Sequence, residues 1–180
     1  MMRGLEEYET DRIYNGNILD SSPASIQFAK CIETEIEQKL LLPFRNYFNS
    51  SGYGNLDHSP DLRDNMVSRM TTFLINPSSK APELGTFAFF LSKNITHRSG
   101  TISSNTIKAY LDHIQSYQNP DFLKSNEFQQ MLNLISTKYR NGAAHTKALP
   151  YSHLLEFYKK LIGVNQNGFL FTLLNALRHK

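Results

Sequence analysis

Residues 22–48, SPASIQFAKCIETEIEQKLLLPFRNYF, decide the fold. Ser22-Pro23 reads as a helix start, with serine as the cap and proline at the first helical position, where its missing N–H costs nothing. Phe28, Ile32, Ile36 and Leu40 then recur every four residues, which predicts one apolar stripe along a helix. Glu33, Glu35 and Glu37 fall on differing faces and read as its solvated surface. Cys31 lies within the pattern and reads as a small buried or half-buried apolar residue. Pro43 is expected to end or kink the helix, because proline removes a backbone donor and clashes one turn back. Phe44, Tyr47 and Phe48 continue the apolar pattern beyond it, and Arg45-Asn46 reads as surface.

The same period returns along the rest of the chain. Ser50 to Pro60, rich in Ser, Gly and Asn, reads as a loop. Met66, Val67, Met70, Phe73 and Leu74 mark a second helix, broken at Asn76-Pro77. Pro82 starts a third, with Leu84, Phe87, Ala88, Leu91 and Ile95 on one face. Arg98-Ser99-Gly100 reads as a turn. Ile107, Tyr110, Leu111 and Ile114 mark a fourth helix, capped by Ser103 or Ser104. Asn119-Pro120-Asp121 leads into a fifth carrying Phe128, Met131, Leu132, Ile135 and Tyr139. Pro150 opens a sixth, with Leu154, Leu155, Tyr158, Leu161 and Ile162, and Gly163 is its natural stop. Phe169 to Leu177 is apolar on nearly every side, so a last helix there is expected to be buried in the core or a subunit interface. The expected fold is all-α, an antiparallel helical bundle of about six to seven helices. Residues 1–21, polar and turn-prone at Asn15-Gly16-Asn17, read as an N-terminal segment or linker, and residues 22–180 as the helical domain.

Composition agrees. With 180 residues, 40% of them hydrophobic and 19% charged, the chain suits one domain with one sizeable core. No long apolar run predicts a membrane span, and the polar start predicts no secretory signal. Cys31 is the single cysteine. An internal disulfide and a multi-thiolate zinc site are therefore excluded, which fits a reducing cytoplasm. His58, His97, His113, His153 and His179 are scattered without metal-ligand spacing, so no metal and no cofactor is expected. The net charge of +3 is modest but unevenly spread. Met1–Pro120 carries 11 basic and 13 acidic residues, a net of −2, and Asp121–Lys180 carries 8 and 3, a net of +5. A polyanion partner would meet that basic final third.

The same third holds Lys138-Tyr139-Arg140-Asn141-Gly142-Ala143-Ala144-His145-Thr146-Lys147 between the fifth and sixth helical patterns. A guanidinium, a carboxamide and an imidazole fall within one short stretch, separated by small residues that let a ligand approach the backbone. Gly142 weakens a helix there by roughly 1 kcal/mol relative to Ala. In a regular helix a spacing of five residues turns side chains about 140° apart. Arg140 and His145 therefore meet if the helix breaks at Gly142, or if a second copy of the chain completes the site.

The stretch Arg140-Asn141-Gly142-Ala143-Ala144-His145 resembles the Arg-X(4–6)-His signature of the HEPN superfamily, and the helices around it suit that family's bundle over about residues 22–180. The resemblance implies metal-independent cleavage of single-stranded RNA to 2′,3′-cyclic phosphate ends by a cytoplasmic homodimer in a defence, toxin or stress-response system. On this pattern His145 is the general acid/base and Arg140 the clamp on the transition-state charge, roles that suit a group titrating near neutrality and an always-protonated planar cation. Asn141 would orient His145 or contact phosphate. Lys138 and Lys147 are candidates for phosphate contact and Tyr139 for base stacking. The alternative is an inactive HEPN-like module that binds RNA or a nucleotide, or dimerises a larger protein. An antitoxin or a fused partner domain is a further candidate partner.

Overall fold

The computed structural model describes residues 20–96, 103–141, 151–163 and 167–180. Among the described residues it is helical, with no β-strand. Helix α1 (Ser22–Ile36) passes through a π-helical turn (Glu37–Leu41) into α2 (Leu42–Ser50) without a break. After a 3-10 turn (Tyr53–Asn55) come α3 (Ser59–Arg63), α4 (Ser68–Ile75), α5 (Leu84–Thr96) and α6 (Asn105–His113), the last followed by a 3-10 turn (Ile114–Ser116). Helix α7 (Pro120–Leu123) precedes α8 (Asn126–Leu134), which runs into a second π-helical segment (Ile135–Asn141). Helices α9 (Tyr151–Ile162) and α10 (Phe169–Ala176) complete the bundle.

Pro43, expected to end or kink the first helix, does not end it but directly follows a π-helical irregularity. It sits at the start of α2, where proline is tolerated, and the wider π turn just before it absorbs the lost hydrogen bond. Proline cannot donate to the carbonyl four residues back, Lys39, and that carbonyl instead accepts the Tyr117 hydroxyl at 2.6 Å. Ala29, Ile32, Ile36 and Leu40 are buried, while Phe28 is half-buried with its ring edge against Phe157 at 6.2 Å. Cys31, expected inside, is exposed, because the buried face runs through its neighbour Ile32, about 100° away around the helix.

The core is one cluster running from Ala29 to Leu177. Aromatic rings dominate it: Phe44, Phe87 and Phe90 each meet Tyr110 edge-on at 5.5–6.0 Å, a favoured ring geometry. The buried Tyr110 hydroxyl donates to the Leu123 carbonyl at 2.8 Å. Ser104 caps α6 by accepting the Ile107 N–H at 3.1 Å, one of the two serines expected to do so.

The expected fifth helix is two. Asn119 caps the short α7, and Ser125 opens α8 by accepting the Phe128 N–H at 3.0 Å. Helix α3 begins in the last two residues of the loop expected over Ser50–Pro60, and its Asp61 carboxylate is buried and accepts both the Thr106 N–H and hydroxyl at 2.9 Å. Gly163 stops α9 with φ of 71°, and a Cβ there would lie 2.4 Å from the Gly168 nitrogen. Helix α10 buries Phe169, Leu173 and Ala176 but leaves Leu170, Phe171 and Leu174 half-buried, so it is less enclosed than its composition suggests. Among the described residues no helix is long and apolar enough to cross a membrane.

Candidate functional site

The second π segment, Ile135–Asn141, carries the first half of the motif. Residues 142–150, which include His145 and Lys147, lie outside the described residues. The site is therefore built from its Arg140 side. Ile135, Ser136 and Tyr139 face inward and are buried. Tyr139, expected as a stacking surface for a base, has no exposed surface, and its ring lies flat on Phe157 at 3.9 Å with 4° between the planes. No face is open to a nucleobase, so this expectation is corrected: the register with Ile135 makes Tyr139 a core residue. Burial raises its phenol above the usual value.

Helix α5 closes over the same segment. Gly85 lies close to Ser136, whose hydroxyl would sit 2.8 Å from a Cβ at that position and would have to turn away. Glu83, one residue ahead of α5, is brought to Arg140. The guanidinium donates to Glu83 through Nη1 at 3.0 Å and lies 3.6 Å from Glu33 of α1 through Nη2. Arg140 thus joins three elements and is held in place. It is not sealed: its side chain is 24% exposed and that of Glu83 is 67% exposed. The pair with Glu83 is weak and replaceable at that exposure.

Lys138 points the other way. Its ammonium donates to Glu156 of α9 at 2.8 Å and lies 5.2 Å from the Tyr139 ring centre. The Glu156 hydrogen bond raises the Lys138 pKa, and the same bond holds the Glu156 carboxyl below its usual value. Lys160 adds a second ammonium 3.7 Å from Glu156, so this carboxylate carries two cations. Asn141 ends the segment and is exposed.

His153, on α9 beside Glu156, is half-buried, and among the described residues its Nδ1 has no hydrogen-bond partner. Among the described residues no three His, Cys, Asp or Glu side chains are grouped to hold a metal ion.

Two features escaped the sequence. Arg45, read as surface, is half-buried, with its guanidinium 3.7 Å over the Phe73 ring and donating to the carbonyls of Pro77 at 3.3 Å and Ser79 at 2.5 Å. It fixes the loop that leads to Glu83. The scattered histidines also partly converge: His113 and His179 both pack on Tyr117, at 5.3 and 4.5 Å. No local period signals either contact, since both join segments far apart in sequence.

No protein-family model, no curated protein and no solved structure matches the chain.

Proposed function

We propose that the chain is a metal-independent endoribonuclease of single-stranded RNA, working as a homodimer in a defence, toxin or stress-response system. The observation that carries the proposal is Arg140 itself. Its guanidinium is positioned by two carboxylates at the solvent-facing end of a π segment, directly before the histidine-bearing stretch. A π turn inside a helix is rare and frequent at functional sites. Carboxylates on a guanidinium occupy the same forked donors that a phosphate would take.

In the proposed reaction the ribose 2′-oxygen attacks the adjacent phosphorus while its proton passes to a base. The bond from phosphorus to the 5′-oxygen breaks, that oxygen takes up a proton, and a 2′,3′-cyclic phosphate remains. His145 moves the proton, and Arg140 neutralises the charge that builds on the phosphorane oxygens. Asn141 steadies one or the other. Lys138 and Lys147 draw the strand in.

The test is cleavage of a fluorogenic RNA in EDTA by the purified chain. His145→Ala and Arg140→Ala are each expected to slow it by about 100-fold or more, with cyclic phosphate at the wild-type product ends. Wild-type turnover by the His145→Ala protein would remove this mechanism.

One observation favours a second reading. Glu33 and Glu83 together can make Arg140 a structural hub in a non-enzymatic module that binds RNA or pairs with another chain. In that case Arg140→Ala lowers the melting temperature, and RNA is bound without turnover.

A further inference from the structure

The wall that carries Glu83 also bounds a cavity of about 490 Å³ between α4 and the start of α5. That volume lies in the range that takes a small ligand. Arg69 and Lys80 line it together with the hydroxyl residues Ser68, Thr72, Ser79 and Thr86. Arg140 is ion-paired with Glu33 and Glu83, and Lys138 and Lys160 with Glu156. Among the described residues, no carboxylate lies within ion-pair distance of Arg69 or Lys80. The Arg69 contact is the Thr86 hydroxyl at 3.4 Å, on an exposed side chain. The walls are held in place, because Arg45 ties the Ser79 carbonyl and covers Phe73 from behind. A second hollow of about 350 Å³ shares Arg69 and Thr86 and extends to Phe89. Phe89 is 48% exposed, a large apolar ring left facing water on a helix whose other phenylalanines are buried.

Two cations that pair with no carboxylate among the described residues, with four hydroxyl residues beside them, suit a phosphate although the exposed Glu83 carboxylate lines the same cavity, and an exposed phenyl lining the adjoining hollow suits a nucleobase. We infer that this groove binds one nucleotide of a single-stranded RNA, its phosphate on Arg69 and Lys80 and its base on Phe89. The inference rests on the nuclease proposal for its direction: Glu83 forms the rim nearest Arg140, so the strand would pass from the groove toward the scissile phosphate.

The experiment measures binding of a 2′-O-methyl oligonucleotide, which lacks the attacking hydroxyl, to the full chain. Arg69→Gln and Phe89→Ala are each expected to weaken binding about ten-fold. Lys108→Gln, an exposed cation on α6, should change it less than about two-fold, and Arg69→Gln should flatten the salt dependence by about one phosphate contact. Phe89→Leu tests stacking with an apolar residue kept in place, and should weaken binding like Phe89→Ala. Groove variants that bind like wild type, or equal losses from Lys108→Gln, would overturn the inference. So would free AMP binding as tightly as the strand. Groove-dependent binding without any RNA cleavage would leave the groove standing and remove the nuclease. Wild-type cleavage by groove variants would do the reverse.

Discussion

The chain contains two π-helical segments, and they are finished in opposite ways. At Glu37–Leu41 the cause lies in the sequence: Pro43 withholds a donor, and the helix widens to accommodate it. The carbonyl left without that donor is satisfied from inside: Lys39 takes the buried Tyr117 hydroxyl. At Ile135–Asn141 no proline intervenes. Arg140 and Lys138 are partly exposed and Asn141 is exposed, and the two cations are held by Glu33 of α1, Glu83 just ahead of α5 and Glu156 of α9 rather than by the core. The first widening repairs a helix. The second presents charge. The same backbone irregularity therefore reads as structural or functional according to what satisfies it.

The largest effect should come from the packing beneath the second segment. Phe157→Ala removes the ring on which Tyr139 lies and is expected to cost about 3–5 kcal/mol in urea unfolding. A cost below about 1 kcal/mol would mean that the segment is not anchored there.

The closed turn can be stressed by acid. Burial pulls the His113 pKa down from 6.5 to about 4. Between those values the unfolded chain binds a proton that the folded chain refuses. Stability is thus fully present above about pH 6.5, falls as the pH drops toward 4, and levels off below it. The loss between pH 7 and pH 4.5 should be roughly 2–3 kcal/mol. His113→Gln should remove that dependence. An unchanged pH profile in the variant would contradict the neutral, buried imidazole.

Tyr117→Phe leaves the Lys39 carbonyl without its partner and should cost about 1–3 kcal/mol, with no change in RNA cleavage. The smallest effect belongs to Glu83→Gln. Loosening one of the two carboxylates on Arg140 should raise RNA affinity about two- to five-fold, since the pair is largely exposed. Weaker RNA binding in that variant would point to Glu83 as a positioning group instead.

Much of this bundle was legible in sequence because its cause is local. The apolar positions of α4, α5, α6 and α9 repeat at helical spacing, and Ser104 and Gly163 sit where a cap and a stop belong. The stripe of α1 was legible too, with Ile32, Ile36 and Leu40 buried and Phe28 packed at the edge of the core. A repeat of four drifts by about 40° per step in a 3.6-residue helix, so Phe28 falls to the edge while the π turn brings Leu40 and Leu41 back to the core. Pro43 is the local signal for the first π segment, and the second has none. The partners of Arg140 were equally hidden, because Glu33 comes from α1 and Glu83 from the turn before α5, and no period links them to it. Of the candidate site, Arg140 and Lys138 occupy accessible, charged positions and Tyr139 does not. His145 and Lys147 fall outside the described residues.

The central claim is that the Arg140 segment serves chemistry and the Pro43 segment serves the fold. Melting temperature and RNA cleavage rate, measured on the same preparations of Arg140→Ala and Tyr117→Phe, test it most directly. Arg140→Ala should lose cleavage by about 100-fold or more and lose little stability, while Tyr117→Phe melts earlier and cleaves at the wild-type rate. An Arg140→Ala protein that melts early and cleaves normally would contradict the account.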